Sequence, residues 1–283
     1  MTRWTAFVGV STVVLGLLLG LARLSAAQFT APEPTASTAG DAEAAGGPED
    51  TGRAATAPYH PAADHDPALT RPERTPVADA EAEAELTAGA LLANVALSQG
   101  TFGALLVAAA VWAGVPAEPL GLVPLATVTD LAAGVGLGVA LWLASEAGGR
   151  LAPRWGVEVN EELRGALAPR SAAGWAVLLL AVLPTVALFE EFLFRAVLVG
   201  AFSAAAPALG VAVSPWLLAA LSSVAFALGH GAQGRAGVVA TGALGFVLAA
   251  AFLLAGSFAV VAVAHYLVNA LTLVVHEGLG ADA

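Results

Sequence analysis

Seven apolar stretches run through this chain: Phe7–Ala22, Leu86–Val115, Leu125–Ala144, Ala172–Ser203, Pro215–His230, Ala236–Ala255 and Phe258–Val275. Crossing ~30 Å of hydrocarbon takes ~20 residues of helix. Inside a bilayer each backbone N–H and C=O must be satisfied within its own segment, so runs of this kind fold as helices. No strand-like alternation and no internal repeat accompanies them. The fold class that follows is all-α: a polytopic transmembrane helix bundle of about seven spanning helices. Composition agrees, with 58% hydrophobic and 12% charged residues against the ~25% charged of soluble domains.

The charge is unevenly placed. Most acids lie between Glu33 and Glu85, so the net charge of −11 describes a tail. No basic patch exists to neutralise phosphates, which argues against nucleic-acid partners. Cysteine is absent, which removes disulfides, thiolate metal sites and cysteine nucleophiles.

Three regions result. Residues 1–27 form an N-terminal membrane anchor or signal-like helix. Arg3 and Arg23 flank its apolar run, and Ser25-Ala26-Ala27 resembles a small-residue cleavage site. Retention is the preferred reading, because further spans follow. Residues 28–85, rich in Ala, Pro and acids, bury too little apolar surface to fold alone and read as a disordered acidic linker. His60 and His65 in it read as solvated. Residues 86–283 form the helical bundle. Within it Glu146–Arg170 reads as a polar surface loop, with an amphipathic piece over Glu161–Leu167. Its Arg150, Arg154, Arg164 and Arg170 favour the cytoplasmic side. Arg3 favours the same side for the N-terminus, and three spans between them forbid both, so the orientation stays open. Asp130, near the start of its run, reads as interfacial.

Charges also sit where they are costly. Glu190, Glu191 and Arg195 lie inside Ala172–Ser203, where one charge at mid-bilayer costs about 2.5–3.5 kcal/mol on insertion scales. Pro184, six residues before Glu190, is expected to kink this helix. An i, i+4 spacing lets Glu191 pair with Arg195 and puts His265 and Asn269 on one helix face. Glu190 then points about 100° away from Glu191. His230 ends the fifth run. A carboxylate takes a proton from water, imidazoles orient water, share a proton or ligate a metal, and an amide donates to an oxyanion. The six residues Glu190, Glu191, Arg195, His230, His265 and Asn269 are therefore the candidate catalytic set for water attack on an amide. Each has a plainer reading: an ion pair, a carbonyl-bonded histidine, or interhelical glue.

Glu190-Glu191-x-x-x-Arg195, Phe226-x-x-x-His230 and His265-x-x-x-Asn269, in this order, resemble the three motifs of the CPBP family. These are intramembrane proteases related to type II CAAX prenyl endopeptidases and Abi proteins. The resemblance covers about 172–276, with Ala196 where the family often has Gly. It implies that Glu190 is the general base assisted by His230. By the same resemblance His265 and Asn269 hold water or the oxyanion, and Glu191 and Arg195 support the site. The implied function is intramembrane endopeptidase acting on a membrane-associated, CAAX-like prenylated protein, in the cell membrane. The family has been described as metalloprotease, but no HExxH helix is present. Glu190, His230 and His265 are candidate zinc ligands as His₂Glu, and a metal-free glutamate mechanism fits the same residues. Two other readings remain open: a non-catalytic immunity or adaptor protein of the same fold, and a proton-coupled transporter. Against the transporter, no paired halves with matching broken segments occur.

Overall fold

The computed structural model describes residues 2–30, 76–123, 126–155, 165 and 168–280. Among them every regular element is helical. We number seven helices: α1 Trp4–Thr30, α2 Pro76–Ala113, α3 Val128–Leu151, α4 Ala172–Leu209, α5 Pro215–Gly229, α6 Gly234–Ala255 and α7 Phe258–Leu273. A widened turn, Val274–Gly278, extends α7. Six helices are long and apolar enough to span a membrane, α5 being the exception. At 1.5 Å per residue, its 15 residues rise about 22 Å, short of the ~30 Å required.

The bundle is built around α4. From Phe192 to Val199 every residue of it is buried, and a helix apolar on all sides belongs at a core centre. Its Phe189, Leu193 and Val197 pack with Phe7 and Val14 of α1, Leu106 of α2 and Phe226 of α5. Val199 packs with Leu248 and Phe252 of α6 and with Val261 and Ala264 of α7. The outer faces carry Leu17, Val111, Leu180 and Leu254, all exposed. Acyl chains are as apolar as leucine, so such faces suit lipid.

Helix α3 lies close against α7 because Gly134 and Gly138 remove the side chains between them. A Cβ on Gly134 would stand 2.9 Å from the Val260 carbonyl oxygen, and one on Gly138 2.9 Å from that of Ala264. This is small-xxx-small packing. It turns the Val260–Ala264 face of α7 toward α3 and leaves His265 facing α4.

Backbone contacts at one end and side-chain contacts at the other define two ends of the bundle. At the first, the Arg3 N–H donates to the Ala113 carbonyl (2.8 Å), and the Phe258 N–H to that of Gly121 (2.9 Å). At the second, His276 meets Glu146 at 2.8 Å, and Trp175 lies against Gly278. Arg3 and the stretch containing Arg150 and Arg154 are thus at opposite ends, as three intervening spans require.

Several boundaries differ from the sequence expectations. Pro76–Glu85, read as linker, is the start of α2. Its alternating Ala and Glu are strong helix formers, and proline is well tolerated in a first turn. Helix α1 continues past Ala27 to Thr30. Glu146 and Arg150, read as loop, lie in the last turns of α3. Asp130 closes a capping box with Thr127, each side chain accepting from the other's backbone N–H, which starts α3 at Val128. His60, His65, Arg164 and most of Glu161–Leu167 lie outside the described residues.

Candidate active site

Helix α4 reaches the site through two departures from ideal α geometry. Over Leu178–Val182 the helix widens, and the Leu183 N–H bonds back to Leu178. Pro184 follows, so the wide turn falls where the ring would crowd a carbonyl and no N–H is available. The expected break at Pro184 is therefore taken up as a bulge, and the helix continues. A second wide stretch, Phe192–Ala201, begins directly after Glu191 and contains Arg195. Wide turns of this kind concentrate at functional sites.

Glu191 and Arg195 are buried at 0% and 1% exposure. Nη1 of Arg195 donates to Oε1 of Glu191 at 2.7 Å, and Nη2 to the Gly245 carbonyl of α6 at 3.0 Å. Oε1 of Glu191 also lies 2.7 Å from Nδ1 of His265. These lengths belong to charge-assisted hydrogen bonds. An ionised carboxylate only accepts, so the Nδ1 position of His265 carries the hydrogen. The opposite nitrogen, Nε2, stands 3.6 Å from Oε2 of Glu190. One imidazole thus lies between the two neighbouring carboxylates, held on one edge by Glu191 and facing Glu190 with the other. Oε2 of Glu191 and Nε of Arg195 are buried without a partner among the described residues. Orphaned buried groups cost about 1–3 kcal/mol each, so stability alone does not account for this cluster.

His230 caps the C-terminal end of α5, half-buried, with Nδ1 2.8 Å from the Phe226 carbonyl oxygen. The Phe226 ring joins it to the rest. Its centroid is 4.5 Å from that of His230 and 5.9 Å from that of His265, and the Arg195 guanidinium lies over it at 4.6 Å. Gly245 admits this packing, since a Cβ there would stand 3.0 Å from the Phe226 ring. Asn269 lies one turn beyond His265 on α7, half-buried. The structure brings Glu190, Glu191, Arg195 and His265 into direct contact. Among the described residues no hydrogen bond or ion pair joins His230 or Asn269 to either carboxylate.

Sequence reasoning missed Gln99 of α2, whose Nε2 donates to Oε1 of Glu190 at 3.3 Å. A lone amide in an apolar run carries little signal, because most such groups are interhelical glue. Phe226 was quoted only as the start of a motif, and its place as the hub is a matter of three-dimensional packing.

Glu190, His230 and His265 do not form the His₂Glu metal site that their chemistry allows. Among the described residues no three His, Cys, Asp or Glu side chains come together as a metal-binding group. His230 and His265 each engage Nδ1 and leave Nε2 open, as a ligating imidazole would, but no hydrogen bond or ion pair joins His230 to Glu190 or His265 among the described residues.

A multi-pass membrane protein with a buried carboxylate–imidazole centre, built on three apolar helices, is the class these features define. Residues 172–271 match the family model described as type II CAAX prenyl endopeptidase Rce1-like. All six candidate residues lie inside the matched segment, and the match bears out the CPBP intramembrane protease resemblance carried by the three motifs. It supports protease activity in general terms. Neither curated proteins nor solved structures gave a match.

Proposed function

We propose that this protein is an intramembrane endopeptidase in which Glu190 activates water against a peptide bond of a membrane-associated protein, a prenylated CAAX-like sequence being the substrate class the resemblance implies. The observation that carries this reading is the buried network Glu190–His265–Glu191–Arg195. Glu190 is the carboxylate that forms no ion pair with Arg195, and it lies at 8% exposure where Glu191 is at 0%.

Glu191 and Arg195 act through His265 and orient its ring. Glu190 takes a proton from water as the water oxygen bonds to the scissile carbonyl carbon. The carbonyl oxygen becomes an oxyanion, which the Asn269 amide stabilises by donating a hydrogen bond. The carbon–nitrogen bond then breaks, and the proton on Glu190 passes to the leaving amine. General-base assistance of this kind contributes about 10²–10⁴-fold. No step is routed through a metal, and chelator treatment of active protein with metal analysis checks that independently.

The test uses purified full-length protein in lipid nanodiscs with two fluorogenic reporters, a farnesylated CAAX peptide and an unmodified transmembrane peptide. Glu190→Gln is expected to lower kcat roughly 10²–10⁴-fold with the protein still folded. Full activity in that variant overturns the base assignment. Inactivity of the wild type, with cellular function surviving Glu190→Gln and His230→Ala, would replace enzyme by adaptor.

A further inference from the structure

Helix α2 lies outside the matched segment 172–271, yet it reaches the site. Gly103 lets it approach α4, since a Cβ there would stand 3.3 Å from the Phe189 ring. One turn earlier on α2, Gln99 presents its amide to Glu190 at 3.3 Å. A carboxylate offers no hydrogen, so the NH₂ end of the amide must face it. The other end, Oε1, is buried and has no partner among the described residues.

We infer that Gln99 is a positioning residue for Glu190: its amide holds Oε1 of the carboxylate and so aims Oε2 at His265. This rests on the reading of Glu190 as the base. The groups facing Glu190 are Gln99 from α2, Glu191 beside it on α4 and His265 from α7, with Arg195 behind Glu191. Of these only Gln99 donates a hydrogen bond to Glu190, His265 standing 3.6 Å away. Simple glue between α2 and α4 is the competing role. Two features stand against it. The two helices are already joined by apolar packing of Leu92 with Leu178 and Val182 and of Leu106 with Leu193. And Gln99 leaves its own acceptor orphaned, a cost that an apolar residue would avoid.

The experiment compares wild type, Gln99→Met and Gln99→Leu as full-length protein in nanodiscs. Met keeps the length and Leu keeps much of the bulk, and both lose the donor without adding a second carboxyl group, which covers the case in which one variant does not fold. The first readout needs no activity: the infrared carboxylate stretch of Glu190, assigned by its disappearance in Glu190→Gln. It is expected to shift in each folded Gln99 variant. The second is cleavage of the farnesylated reporter, where kcat is expected to fall roughly 10–100-fold while KM changes by less than about twofold. An unmoved Glu190 band in a folded variant overturns the inference, whatever happens to activity or to thermal stability. A shifted band with no cleavage by the wild type keeps the positioning contact and overturns the protease reading instead.

Discussion

Arg195 is the residue on which the buried charges depend. It sits at 1% exposure between Glu191 and the Gly245 carbonyl, with its guanidinium over Phe226. Breaking a buried pair from one side leaves the other charge uncompensated, which costs about 3–5 kcal/mol. Arg195→Met is therefore expected to destabilise the protein by about that much, read as a lower midpoint in detergent unfolding. Replacing both partners, Glu191→Leu with Arg195→Met, should recover much of the loss, since apolar substitutes for a buried pair are often neutral. Cleavage should not return with it, because His265 then has nothing on its Nδ1 side. Restored activity in the double variant would show the pair to be structural only. At this scale the sequence was informative wherever a charge was costly: Glu190, Glu191, Arg195 and His265 stand out against apolar neighbours. Gln99 did not, because an uncharged amide in a membrane helix is cheap enough to be common.

Helix pairing decides where those side chains meet, and the α3–α7 seam is its sharpest case. Gly138→Leu would force a side chain into the Ala264 carbonyl, one residue before His265. Overpacking of this kind costs about 1–3 kcal/mol, and here it pushes the imidazole away from Glu191 as well. The expected outcome is a lower unfolding midpoint together with loss of reporter cleavage. Gly136→Leu, on the same helix with open space before it, should change neither and serves as the control. Element existence was legible, because length and apolarity leave few choices inside a bilayer. Element ends were less so. The Thr127–Asp130 box is a short local signal, and in the Ala/Glu run from Pro76 and at Glu146–Arg150 charge was taken as the mark of linker or loop. The bulge before Pro184 follows from the proline, but the wide stretch around Arg195 has no sequence period at all and is set by how α4 fits its neighbours.

For the whole molecule, the two ends of the bundle differ in charge. Among the described residues the first end holds Arg3, and the second lies near Arg23, Arg150, Arg154, Arg170 and Arg235. The positive-inside rule then predicts that the second end faces the cytoplasm, against the single N-terminal arginine. The chain has no cysteine, so single substitutions report cleanly. Ala147→Cys should resist a membrane-impermeant maleimide in intact cells, and Val211→Cys should react; the reverse pattern would invert the topology. The same end carries the stunted α5, which ranks among the plainest asymmetries of the architecture. Its last turn brings His230, half-buried, to that end of the helix and stacks it on Phe226. Hydrolysis would consume a solvent molecule per turnover, and the half-buried tip at His230 is the expected point of entry for one toward the buried His265.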